Sequence, residues 1–305
     1  MAEKIEKSIP WLTILAICLL TVFGAGLVLK EVVADTATPS VTVGNQAPTV
    51  GTVILNGGNA ITINENSSVT VAGTTTVSDN NGYGDINSVT STLYLNNTTC
   101  SSGLADANWC YYISSGCVTS SCSGLSCIVT CTANVWFIAD PTDASSTYAA
   151  NAWQMDITIK DQSDSSDTGT TSQELNTAYY LDIDGSIPYG SVAPAATSTN
   201  TTTNATNTGN YQIDIELSGV NMETGGATAS IDVGQQKYNS STIITWDNMG
   251  TALTGTPAGF NIDLANPSAT PSDSSDLLYW VIKIPTSTAV GTYTGTNTVD
   301  VAGAL

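Results

Sequence analysis

Histidine and arginine are both missing from the 305 residues, and the only side-chain cations are Lys4, Lys7, Lys30, Lys160, Lys237 and Lys283. Without histidine there is no Ser-His-Asp or Cys-His nucleophile arrangement, and no imidazole to ligate a metal. The patterns GxxxxGK, GxGxxG and GxSxG are absent as well. A glycosidase-type carboxylate pair is what remains, and spacing sets no such pair apart among the acids. The expectation is a chain that is not an enzyme.

Positive charge is scarce in a way that also restricts partners. From Asp35 onward three lysines face 23 carboxylates, a net charge of −20. Phosphate backbones and anionic lipid headgroups are bound by basic side chains, so nucleic acid is excluded and lipid can be held only by inserted apolar residues. An acidic surface of this kind suits a hydrated exterior and the binding of cations. Charged residues make up only 10% of the chain and hydrophobic ones 41%, which leaves enough apolar side chains for a core.

Long hydrophobic runs are missing except at the start. Ile9 to Leu29 carries no charge, and 21 residues of helix span about 31 Å, the thickness of a bilayer's hydrocarbon core. The run reads as a retained membrane anchor within residues 1–34. A cleaved signal, with small residues near Val32 to Ala34 as the cleavage site, and a pilin-type helix are the alternatives.

Helical periodicity is lacking in everything that follows. Residues 35–46 read as a polar tether. Beyond it short β-type runs recur between turns, including Ser68 to Val77, Ser88 to Leu95, Asn134 to Ala139, Ala152 to Lys160, Tyr211 to Gly219, Ser241 to Trp246 and Leu277 to Pro285. Several alternate apolar and polar residues, as half-buried antiparallel strands do. The expected fold is all-β: two tandem β-sandwich domains, residues 47–184 and 185–305, behind one N-terminal hydrophobic helix. The Thr/Asn-rich stretch from Ala195 to Asn210 is read as a solvated linker or as a sheet edge with a glycosylated loop.

Six cysteines, Cys100, Cys110, Cys117, Cys122, Cys127 and Cys131, fall within one Ser/Gly-rich insertion at residues 98–132. Spacings of 10, 7, 5, 5 and 4 contain no CxxC pair, which argues against zinc and for three local disulfides. Fifteen pairings remain open. Disulfides imply an oxidising compartment.

The runs APTVGTV, ITINENSSVTV and DNNGYGD resemble immunoglobulin-like and cadherin-like modules of bacterial and archaeal surface proteins. The later IPYGSVAP, NTGNYQIDIELSG and GTYTGTNTV are similar to sandwich modules of prokaryotic envelope proteins. The resemblance implies display, adhesion or assembly.

Calcium is the candidate cofactor. Asp79, Asn81 and Asp85 offer hard oxygen ligands around Gly82 and Gly84, although Thr90 stands where an EF-hand would carry glutamate. Asp161, Asp164 and Asp167 form a second acidic group, and Glu65 is placed much as the acidic residue of cadherin-like modules, so that the three sets could meet at one end of a sandwich. Plain hairpin turns are the alternative reading of the same residues. Glycosylation sequons stand at Asn66, Asn96, Asn97, Asn200, Asn204 and Asn239.

The function expected is a membrane-anchored extracellular surface protein that serves display, adhesion or an envelope layer. The alternative is a filament or pilus subunit, assembled through the N-terminal helix or by donation of a strand to the next subunit. The implied partners are the membrane, through Ile9 to Leu29, and either copies of the same chain or a ligand at the cell surface.

Overall fold

Strict alternation decides the strands. In Trp153–Asp161 every second residue is buried, and the same holds through most of Ser68–Ser78 and Ser126–Trp136. A pleated strand sends successive side chains to opposite faces, so such a pattern is stable only with one face on a core. The computed structural model describes residues 36–241, 245–247 and 250–303. The Ile9 to Leu29 run lies outside the described residues, as do residues 242–244 of the Ser241 to Trp246 run. No helix among the described residues is long and apolar enough to cross a membrane.

The described chain is all-β. Residues 36–44 carry no regular structure and are exposed. From Asn45 on, the chain forms one compact unit. Its strands begin with β1 (Thr49–Val50), β2 (Ile54–Leu55), β3 (Ser68–Ser78), β4 (Ile86–Leu95), β5 (Cys110–Ile113), β6 (Cys117–Ser123), β7 (Ser126–Trp136), β8 (Trp153–Asp161) and β9 (Ser166–Gln173). They continue with β10 (Leu181–Ile183), β11 (Thr201–Asn207), β12 (Ile213–Gly219), β13 (Met222–Thr224), β14 (Ser230–Ile231), β15 (Gln236–Asn239), β16 (Thr251–Ala252), β17 (Ala258–Leu264), β18 (Ser275–Ile282), β19 (Tyr293–Thr294) and β20 (Asn297–Gly303).

The first nine strands build two antiparallel sheets. One has the order β1-β3-β7-β6 with β2 also on β3, and the other is β5-β4-β8-β9. The longest pairing runs in unbroken register from Ser68↔Trp136 to Ser78↔Ser126. Val71, Val77, Val129 and Val135 from one sheet share a core with Leu93, Leu95, Met155, Ile157 and Ile159 from the other. This is sandwich packing, and it is tight at Gly73, where a Cβ would run into Met155 Sδ.

The later strands form a sheet β10-β11-β18-β15-β16, which faces a smaller sheet β17-β12-β20, and a third sheet β14-β13-β19. Ala205, Ile213, Ile215, Leu217, Tyr238 and Trp280 make the second core. Its first strand, β10, starts at Leu181, ahead of Asp184. The Thr/Asn-rich stretch is neither linker nor edge: Thr201–Asn207 is β11, hydrogen-bonded on both sides by β10 and β18, with Thr203, Ala205 and Asn207 buried.

Buried asparagine joins the two cores. Asn210 donates from Nδ2 to the carbonyls of Ala139 (3.0 Å) and Asn176 (3.2 Å), and its Oδ1 accepts from the Ala178 amide at 2.7 Å. Neighbouring Thr208 donates its hydroxyl to Glu65 Oε1, and its carbonyl accepts from the Asn66 amide.

Candidate functional site

Three of the expected acidic residues converge at one end of the first sandwich. Along β3 the inward positions are Val71, Gly73, Thr75 and Val77, and the next step of two is Asp79, 1% exposed. Along β8 they are Trp153, Met155, Ile157 and Ile159, and the next is Asp161, fully buried. The two rows come from facing sheets, so both end on a carboxylate at the same rim. Asp85 joins them from a 3-10 turn, Tyr83–Asp85, and its carbonyl accepts from the Gln162 amide. One carboxylate oxygen from each of Asp79, Asp85 and Asp161 lies within 4.8 Å of the others.

Hydrogen bonding treats the three differently. Asp161 is richly served: Oδ1 accepts from the amides of Ser163 and Ser165, both at 2.8 Å, and Oδ2 accepts from Asn45 Nδ2 at 2.8 Å. The Asn45 bond, ahead of the backbone amides, holds this carboxyl below the usual carboxylate range despite its burial. Asp79 Oδ1 accepts from the Asn81 amide at 2.7 Å, which folds the chain into an Asx turn. Its Oδ2 is buried with no partner. Burial, then the charges of Asp79 and Asp161, push the Asp85 carboxyl above its ordinary value. These are oxygen donors alone, which suit a hard cation if any.

The other expected ligands lie outside this group. Asn81 is exposed, and its Oδ1 accepts from the Gln46 amide. Asp167 caps the Val50 amide at 2.7 Å, and Asp164 is exposed in the turn after β8. Glu65 precedes β3 whereas Asp79 follows it, and eleven residues of strand put about 35 Å between its ends. Glu65 therefore sits by Thr208. Asn45, the amide that anchors Asp161, belongs to the compact unit instead of to a tether. Nothing in the local sequence marks it out.

The cysteines pair as Cys100–Cys110, Cys117–Cys131 and Cys122–Cys127. The second bond links positions directly opposite each other on β6 and β7, and the third closes the hairpin between the same strands. The Cys-rich stretch is thus not an excursion from the sandwich, because Cys127 and Cys131 lie on the inward face of β7. Of the sequon asparagines, Asn66, Asn96, Asn97 and Asn200 are exposed, whereas Asn204 in β11 and Asn239 in β15 are half-buried.

No protein-family model matches this chain. No curated protein matches it either. Solved structures do show likeness. The CsuC-CsuE chaperone-tip adhesion subunit pre-assembly complex from the archaic chaperone-usher Csu pili of Acinetobacter baumannii is similar at a TM-score of 0.38 and 10% identity, over 80% of this chain and 96% of that one. Dimeric latent PorU from Porphyromonas gingivalis is similar at a TM-score of 0.27 and 13% identity, over 86% of this chain and 20% of that one. A chimeric titin Z1Z2 scores 0.21 at 14% identity, over 86% and 98% of the two chains. All three scores are too low to carry fold or function across.

Proposed function

We propose that this chain is a non-catalytic extracellular protein, held at a membrane by the Ile9 to Leu29 run, whose two tandem sandwiches serve display, adhesion or an envelope layer at the cell surface. The observation that carries this reading is the set of three disulfides within a strand-built, Ser/Thr-rich sandwich. Such bonds persist in oxidising compartments and are reduced in the cytosol. The net charge of −20 and the want of histidine support it, since they favour a hydrated surface and remove the commonest catalytic base.

The test is topological. Protease added to intact cells should release fragments that contain β3 to β20, and those fragments should show six protected thiols until a reductant is added. Full protection from the protease, or six free thiols in the native chain, would refute the reading. Negative-stain microscopy of sheared surface material separates the two modes of action: ordered fibres mean a filament subunit, and detergent-soluble monomers mean an anchored display protein.

A further inference from the structure

A buried carboxylate oxygen without a hydrogen-bond donor is a defect that native folds rarely keep, because burial strips the group of water and the unpaired charge is left unscreened. Asp79 Oδ2 is such an atom. It belongs to a residue 1% exposed, one of three whose oxygens approach within 4.8 Å of one another. Among the described residues no lysine pairs with these carboxylates: Asp161 accepts from two backbone amides and from Asn45, and Asp85 feels the like charges of Asp79 and Asp161. A cation from solution would supply the partner that the described residues do not.

We propose that Asp79, Asp85 and Asp161 bind one Ca²⁺ ion at the end of the first sandwich. Two oxygens that each sit about 2.4 Å from a single calcium ion can be at most about 4.8 Å apart, which the three carboxylates satisfy. Softer metals are disfavoured, because the chain has no histidine and the six cysteines outside the Ile9 to Leu29 run are all in disulfides. Magnesium demands a near-ideal octahedron at shorter distances. Three acids from a strand end, a 3-10 turn and a facing strand, one of them half-exposed and open to water, suit the irregular shell that calcium accepts.

The ion also gains a structural task. Asp161 accepts from Asn45, and the Asn81 side chain, two residues from Asp79, accepts from the Gln46 amide, so the site's own loops grip the first two residues of the compact unit. Calcium therefore fixes the point at which the chain enters the sandwich.

Calorimetric titration of the full chain, kept in mild detergent and stripped of divalent ions, is the experiment. Calcium chloride should give one saturable site with a Kd on the order of 10⁻⁵ to 10⁻³ M and raise the melting midpoint. Asp85→Asn changes a half-exposed side chain that makes no hydrogen bond, so the fold survives, and calcium affinity should fall at least ~10-fold. Asp79→Asn should lose the calcium response and yet melt higher than wild type without calcium, because an unpaired buried charge is gone. Asp300→Asn, at an exposed acid on β20, should bind like wild type. No saturable heat from the wild-type chain would overturn the proposal, as would wild-type affinity in both Asp85→Asn and Asp79→Asn. An equal midpoint shift with magnesium chloride would overturn the assignment to calcium.

Discussion

Asp140 gives the protein a pH dependence that can be worked out in sign and size. The residue is 9% exposed, with its amide donating to the Asn108 carbonyl and its own carbonyl accepting from Trp153 Nε1 at 2.8 Å. Burial, and after it the charge of Asp106, raise its carboxyl from 3.8 to about 6. Between about pH 4 and pH 6 the folded chain therefore keeps a proton that the unfolded chain has released. Stability falls as pH rises through that window and is level above it. Two pKa units at about 1.4 kcal/mol each make the loss about 3 kcal/mol. Asp140→Asn preserves the shape and removes the ionisation. At pH 7 it should recover up to about 3 kcal/mol, a rise in melting midpoint of several degrees. At pH 3.5 the two proteins should melt together. Scanning calorimetry of the full chain in mild detergent at pH 3.5, 5 and 7 reads this directly. Asp106→Asn should show the same trend at smaller amplitude, since its charge is the second cause. A midpoint for Asp140→Asn at or below wild type at pH 7, or a gap that persists at pH 3.5, would refute the reasoning.

Other perturbations probe the packing. Asn210→Ala strands two buried carbonyls and one amide at the junction of the cores, so urea denaturation should show a loss of about 2 to 4 kcal/mol relative to wild type. Ser91 presents a buried hydroxyl with no partner inside the first core, and Ser91→Ala should stabilise by about 1 kcal/mol in the same assay. Removing disulfides as Cys→Ser pairs should cost most for Cys117–Cys131, at a sequence separation of 14, and least for Cys122–Cys127, at a separation of 5, on the order of 3 and 2 kcal/mol. Peptide mapping without reductant should recover the three pairings.

Alternation made the large strands readable in advance. The Ala152 to Lys160 run became β8 within one residue at each end, and Ser68 to Val77 became β3 with one residue added, because Trp153, Met155, Ile157 and Ile159 in the one and Val69, Val71 and Val77 in the other share a single face that only a strand can bury. Where the inward residues are small or polar, the same rule gave no signal. In β11 they are Thr203, Ala205 and Asn207, which hydropathy cannot separate from a linker. What fixes them is tertiary: Trp280 Nε1 donates to the Thr203 hydroxyl at 2.9 Å, and Asn207 Nδ2 donates to the carbonyls of Tyr211 and Ala265. The Cys-rich stretch hid a central strand for a related reason, since cysteine counts toward a disulfide before it counts toward a core. Yet Cys127 and Cys131 alternate with Val129, Ala133 and Val135 as any buried residues would.

The acidic site tests how far such parity reaches. Spacing along the chain grouped Asp79 with Asn81 and Asp85, and Asp161 with Asp164 and Asp167, as if neighbours in sequence were neighbours at an ion. The strands impose a different selection. Asp79 and Asp161 are both an even number of residues from the valines and isoleucines of their own strands, so both face inward. Asp164 falls out of step in the turn beyond β8, and Asp167, the second residue of β9, caps the Val50 amide instead. Counting in twos from the apolar rows would have picked from the sequence the two acids that the fold brings together, and would have set Glu65 aside, because it lies beyond the opposite end of the same strand. The one contributor no count could find is Asn45. It comes from 116 residues away, and only the folded sheet order brings it to Asp161.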